Sequence, residues 1–203
     1  MSTGPVRVRV ATGPAELRTA RALEHDVFVA EGFTPASDLR VVEEYRYLDG
    51  QSRWLLAERD GEAAGVLRLM ADGPHPVPAV AHFPPLPGAH QVLDGERYAE
   101  VGTLAVTGAH RGSDVGLHLY RAAFQLSVLE GVTAWVAVLE QWLLEHMDAT
   151  GFHFVPMGEP RHYMGGDCLA VRMLFRESLV TLRERDAGLH AWLTHGLPAG
   201  VPA

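Results

Sequence analysis

The chain has a single cysteine, Cys168, in 203 residues. An intrachain disulfide and a cysteine-built zinc cluster are thereby excluded, and a reducing cytoplasm is the compartment that suits such usage. No apolar run approaches the roughly 20 residues of a bilayer-spanning helix. The opening stretch Val6 to Val10 alternates apolar with basic residues, as a short strand does, so neither a membrane span nor a signal peptide is expected. Basic residues are also few, 17 Lys and Arg against 25 Asp and Glu, for a formal net charge of −8. That balance repels nucleic acid and anionic membranes as bulk partners, and an acidic protein partner would need a local basic patch. The 11 histidines do not compensate: His146, His153, His162 and Cys168 form no compact ligand spacing, and no metal is expected.

What is present is ordinary for one globular core, 47% apolar and 21% charged residues. The expected organisation is a single domain over residues 1–197 with a flexible tail at 198–203. After the first strand, Gly13 and Pro14 mark a helix start, with Leu17, Ala20, Leu23 and Val27 as its apolar stripe. Strands are expected near Ser52 to Arg59 and Ala63 to Met70, joined by the hairpin turn Asp60-Gly61. Residues 71–97 carry Pro74, Pro76, Pro78, Pro84, Pro85 and Pro87, which excludes a long helix or central strand and leaves a lid or loop with Val77, Val80, Phe83 and Leu86 as docking side chains. A short helix is expected at Glu140 to Thr150, strands near His153 to Met157 and Asp167 to Phe175, and one last helix near Glu177 to Thr194. That helix either covers the sheet or forms a homodimer contact.

The most informative segment is YAEVGTLAVTGAHRGSDVGLHLYRAAFQLSVLEGVTAWVA, residues 98–137, which reads strand, turn, helix, strand. Glu100 to Val106 is apolar and β-branched, Thr107 to His110 breaks it, and a helix two-sided in its apolar pattern follows from Ser113 to Leu129. In Arg111-Gly112-Ser113-Asp114-Val115-Gly116 the glycines let backbone N–H groups approach an anion, and the helix start adds the positive end of its dipole. A pyrophosphate or phosphodiester would sit there.

With these residues the chain resembles the GNAT acyltransferase superfamily, whose donor loop is Gln/Arg-x-x-Gly-x-Gly/Ala after the fourth strand; Arg111 and Gly116 match its ends, and Asp114 stands at the middle glycine. Within it, the likeness is to acyl-homoserine-lactone synthases and long-chain N-acyl amino acid synthases. LEHDVFVAEGF, residues 23–33, is similar to their amino-terminal helix; Phe28 and Phe33 match, and Glu24 replaces an arginine. Asp49 and Ser52 match an Asp-x-x-Ser pattern, Arg46 replaces an aspartate, Arg68 and Glu100 are kept, and Thr103 replaces an arginine. The resemblance implies an α/β fold, a mixed and mostly antiparallel sheet splayed between strands four and five and flanked by helices. It also implies direct transfer of an acyl group, medium or long in chain, from acyl-CoA or acyl carrier protein to the primary amine of a small molecule or peptide. Asp114 would penalise the pyrophosphate of CoA more than the single phosphodiester of a carrier protein. Two other readings stand beside this one, an acetyl-CoA-dependent small-amine acetyltransferase and a catalytically silent acyl-ligand binding protein.

The same resemblance distributes roles. Backbone groups of Leu104, Ala105 and Val106 would bond the pantetheine amides, and Arg111 to Gly116 would hold the phosphate. Glu100 would take the amine proton, and Tyr163, on a loop after the sixth strand, would protonate the leaving thiol. Arg68 would pair with Glu100 or with a substrate carboxylate. Asp49 would bind the acceptor amine or cap a turn, and Phe28 and Phe33, on the helix that closes over the site, would meet substrate. Trp135 and Trp142, with Leu104, Leu143, Phe152 and Phe154, would either border an apolar slot for the acyl chain or be core.

Overall fold

The computed structural model describes residues 4–198. Of the expected tail at 198–203, residues 199–203 lie outside them. Contacts divide the chain into two compact units, Met1–Ala71 with Val101–Ala123, and Asp72–Glu100 with Phe124–Ala203.

In the first unit β1 (Arg7–Val10), β2 (Ser52–Arg59) and β3 (Glu62–Ala71) form an antiparallel run in which Val8 pairs with Ala57 and Leu55 with Leu67. Asp60, at φ +53°, and Gly61, at φ +84°, turn β2 into β3 as the Asp-Gly pair predicts. The second half of β4 (Tyr98–Val106) neighbours β3. The start of α3 (Val115–Leu129) packs on that sheet through Val115 and Leu119, both fully buried. Gly65 makes the approach possible, because a Cβ there would stand 3.0 Å from the Ala105 carbonyl oxygen and 3.0 Å from the Val115 side chain.

Helix α1 (Pro14–Ala30) begins with Pro14 at its first position, and the Glu16 carboxylate accepts from the amides of Thr12 at 2.9 Å and Gly13 at 3.3 Å. It ends in a Schellman motif. Gly32 at φ +78° lets the Phe33 amide reach the Phe28 carbonyl at 2.8 Å and its own amide reach that of Val29 at 3.1 Å, while the Phe28 and Phe33 rings meet edge to face at 5.5 Å. The two aromatics expected at a substrate site thus meet at the carboxyl end of α1, Phe28 on it and Phe33 just past it. A 3-10 helix at Glu43–Gln51, which has no apolar period of its own, leads into β2.

In the second unit the first residues of β4 pair with β5 (Ala134–Glu140) in parallel. The register comprises three pairs and ends at Glu100 and Val136, which is the expected parting of strands four and five. β5 pairs antiparallel with β8 (Gly166–Leu174), and β8 also takes β6 (Val155–Pro156) and β7 (Arg161–Tyr163). β7 corrects the loop expected around Tyr163: Met164, at φ +47°, and Gly165, at φ +83°, make a two-residue hairpin turn that pairs Tyr163 with Gly166.

The proline-rich segment holds a four-residue helix, α2 (Pro78–Ala81), and hydrogen-bonds beside β6 through Leu86 N to Met157 O and Glu159 N to Pro84 O, both 2.9 Å. Of its expected docking residues, Val77 and Phe83 are buried. After α4 (Gln141–Ala149), the single helix expected at the carboxyl end is two, α5 (Phe175–Arg185) and α6 (Ala187–Thr194). Asp186 divides them, since its side chain accepts from the Leu189 amide at 2.8 Å and caps α6. Of the expected leucine stripe, Leu179, Leu182 and Leu193 are buried.

Candidate active site

Three groups of residues bear on a site, two in the first unit and one in the second. In the first unit the β4 to α3 connection is a single 3-10 turn, Gly108–His110, followed by Arg111, Gly112, Ser113 and Asp114. Gly112 at φ +70° is the one residue there whose backbone requires glycine. Ser113 Oγ donates to the His110 carbonyl at 2.6 Å, and the first intrahelical bond of α3 runs from His118 N to Asp114 O at 3.0 Å. By helix geometry the amides of Gly116 and Leu117 precede that bond and point out of the helix start. A side chain at Gly116 would meet only Leu104, with its Cβ 3.6 Å from Cδ2, so the position is roomy and not strained.

The Asp114 carboxylate, expected to repel a phosphate, is paired with the buried Arg59 at the end of β2, and His118 Nε2 stands 3.5 Å from its other oxygen. The Arg59 hydrogen bond holds its pKa below the usual carboxylate range, and its charge is compensated locally. That corrects the premise for preferring a carrier protein. Arg111, exposed, pairs with Glu31 at 2.5 Å. Both border a cleft of about 600 Å³ between α1 and the end of β4, with Leu23, Val27, Thr107 and Gly108 also in its walls.

Deeper in the same unit, Arg68 is 1% exposed and surrounded. Its guanidinium donates to Asp49 Oδ1 at 2.8 Å, to Ser52 Oγ at 2.9 Å and to the Tyr45 carbonyl at 2.7 Å, and its centre lies 4.6 Å from the Trp54 ring. Asp49 holds Arg21 as well, at 3.0 Å. The Asp-x-x-Ser pattern therefore serves the arginine. These contacts replace the expected pairing of Arg68 with Glu100. Glu24, also 1% exposed, approaches Arg68 Nη1 to 3.9 Å, and burial raises its pKa to about 7 against the pull of that cation. Arg46, by contrast, lies exposed beside Glu43.

In the second unit Glu100 is 2% exposed and accepts the amide of Ala79, on α2, at 2.7 Å. Burial lifts its pKa to about 8, with the Ala79 amide opposing the rise. The sequence named Glu100 but not this partner, which only the fold brings to it. Tyr163 stacks on His82 at 5.5 Å and meets Phe83 edge-on at 5.6 Å. Trp135 is fully buried, gives its indole N–H to Ser127 Oγ at 2.9 Å and packs on Phe124 and Phe175. Trp142 is 62% exposed and bonded to Glu140. Trp135 is thus core and Trp142 is surface. Among the described residues no group of three or more His, Cys, Asp or Glu could hold a metal ion, and no helix is long and apolar enough to cross a membrane.

The comparisons bear on this arrangement. The family described as N-acyl amino acid synthase FeeM matches residues 19–176. No curated protein matches the chain at a significant level. Among solved structures the chain is similar to FeeM, an N-acyl amino acid synthase from uncultured soil microbes, with a TM-score of 0.71 and 14% identity over 88% of this chain and 96% of that one. It is similar to BjaI, a CoA-dependent acyl-homoserine lactone synthase, at 0.66 and 22% over 90% and 89%. An acyl-CoA N-acyltransferase from Pseudomonas aeruginosa follows at 0.59 and 23% over 84% and 99%. At these identities the structures carry the fold, and the family match, which spans most of the chain, carries the kinship. The chain belongs to the FeeM N-acyl amino acid synthase family and is an N-acyltransferase of GNAT fold.

Proposed function

We propose that the protein moves a medium- or long-chain acyl group from a phosphopantetheine thioester, on CoA or on acyl carrier protein, to a primary amine by direct attack. The observation that carries this reading is the pairing of Asp114 with Arg59. With that charge compensated, the amides at the start of α3 and the Arg111 guanidinium form a donor loop that either a pyrophosphate or a phosphodiester can occupy. The expected discrimination against CoA therefore loses its basis, and both donors fit.

In the reaction a neutral amine attacks the thioester carbonyl, the C–N bond forms, and the C–S bond breaks as the tetrahedral adduct collapses. Glu100 takes the proton that the amine loses. A carboxyl titrating near pH 8 is a stronger base, once ionised, than an exposed glutamate, and its seat on β4 puts it on the strand that also carries Leu104 to Val106. Tyr163 is the proton donor assigned to the leaving thiolate. No side chain is acylated along this route.

Mass spectrometry of small molecules that copurify with the protein tests the donor class. A retained long-chain thioester, fatty acid or N-acyl amine is the expected finding. Retention of acetyl-CoA alone would turn the reading to a small-amine acetyltransferase.

A further inference from the structure

The proline-rich segment touches Glu100 at one point. The carboxyl is 2% exposed, and its one hydrogen bond comes from the Ala79 amide, 2.7 Å away on α2. That amide has no acceptor within its own helix. Pro78 carries no N–H, Val80 and Ala81 give theirs to the Val77 carbonyl at 3.0 and 2.9 Å, and His82 gives its own to Pro78 at 3.0 Å. The parallel pairing of β4 with β5 ends at Glu100 and Val136, and α2 lies against β5 and β8.

The segment is held on one side of α2 and not on the other. Beyond α2 the His82 carbonyl accepts from Arg161, Phe83 is buried against the edge of Tyr163, and Pro84 and Leu86 bond to Glu159 and Met157. Before α2, residues 72–76 are all exposed. Between the two, only small apolar side chains dock the helix, Val77 and Ala79 at full burial.

Under α2 the carboxyl is costly to ionise, since one amide stands where an exposed carboxylate would have water on both oxygens. Burial lifts the Glu100 pKa to about 8, the Ala79 amide opposes the rise, and no charged side chain enters the shift. α2 has no titratable residue, and His82, which follows it, stacks on Tyr163. On β4, Tyr98 gives its hydroxyl to Asp72 at 3.1 Å, and burial, with the neighbouring carboxylates adding to it, pushes its pKa up to about 12, so it stays neutral. Across the sheet Glu100 pairs with Val136 and Val136 with Arg172, the cation of that row. Lifting α2 would admit water and return Glu100 toward an ordinary glutamate. A carboxyl whose pKa is high when covered and ordinary when open favours the open form as it loses its proton, through the window between 4.5 and about 8.

We propose that residues 77–81 form a gate over Glu100, hinged on the held side at 82–86 and lifted at α2 when the carboxyl loses its proton. The ionised carboxylate is the form that takes the proton of the attacking amine, so the base is uncovered in the state in which it can act. On gaining that proton it becomes neutral, and α2 settles back. The proposal rests on the acyltransferase reading only for what the gate admits, an amine, and the movement itself is tested without turnover.

Hydrogen exchange of residues 77–83, followed by mass spectrometry, is compared between the wild type and Glu100→Gln, whose peptides are identical there, so the intrinsic chemistry cancels at each pH. The ratio of wild-type to variant rate should climb about tenfold or more from pH 6 to pH 8 and then level off, while residues 134–140 of β5 exchange far more slowly throughout. A ratio that does not move with pH overturns the gate. So does a common rate for 77–83 and 134–140, which would mean unfolding and not lifting. Should Glu100→Gln not fold, the rate in a synthetic peptide of residues 77–83 takes its place as the denominator, with the same climb expected. If the ratio climbs and no amine is acylated, the gate stands and the acyltransferase reading alone fails.

Discussion

Glu100 sits at full burial with one hydrogen bond, to the Ala79 amide, and titrates near pH 8 because water cannot reach it. At neutral pH most molecules therefore hold it protonated, and turnover under saturating substrates should rise with pH to a plateau above about 8. Glu100→Gln keeps the shape and the acceptor for Ala79 but loses the basicity, so turnover should fall on the order of 100-fold and the rising limb should vanish. The same shift governs stability. A carboxyl whose folded pKa is raised binds more protons in the folded state than in the unfolded one, between its ordinary 4.5 and about 8 for Glu100, and between 4.5 and about 7 for Glu24. Its contribution is thus fully present below 4.5 and is lost as pH climbs through that window. Thermal melts should show Glu100→Gln gaining on the wild type from pH 5 to pH 9. A difference that does not grow would mean that Glu100 is solvated in solution.

At the scale of elements, the donor loop depends on a residue from another strand. Arg59 comes from β2 and compensates Asp114 at the start of α3. Arg59→Ala should leave an uncompensated carboxylate beside the donor phosphates and weaken CoA binding several-fold, roughly 1 kcal/mol, with Asp114→Asn restoring it in the double variant. Calorimetric titration with CoA checks both, and a double variant no better than Arg59→Ala would place Asp114 away from the donor. Much of this architecture is legible in the chain, because Asp60-Gly61 and Pro14 punctuate strongly periodic segments and their elements stand within two residues of where the pattern puts them. The helix break at Asp186 is less so: an acidic residue inside a leucine-periodic stretch reads as a solvated position until its side chain is seen capping Leu189. The pairings that define the site are invisible for a different reason. Arg59 with Asp114, Arg68 with Asp49 and Glu100 with Ala79 join residues 55, 19 and 21 positions apart, and no local spacing encodes such partners. Phe28 and Phe33 are legible as a pair, and the fold joins them in a contact that closes the end of α1.

For the whole molecule, all 17 basic residues are arginine, and those of the candidate site are consumed by carboxylates: Arg59 by Asp114, Arg68 by Asp49, Arg111 by Glu31. Arginine suits this use, since its fork binds carboxylates with fixed geometry and keeps its charge when buried. In a chain with a net charge of −8, these pairs keep the carboxylates around the donor loop compensated. The account as a whole claims that a thioester acyl group passes to an amine with no acyl-enzyme between. Purified protein given decanoyl-CoA, and separately decanoyl-carrier protein, with a mixture of amino acids and primary amines should release thiol and form N-decanoyl amide in a one-to-one ratio. Mass spectra of the protein quenched during turnover should keep the unmodified mass. Thiol release without amide, or a protein heavier by one decanoyl group that decays into the amide, would contradict it.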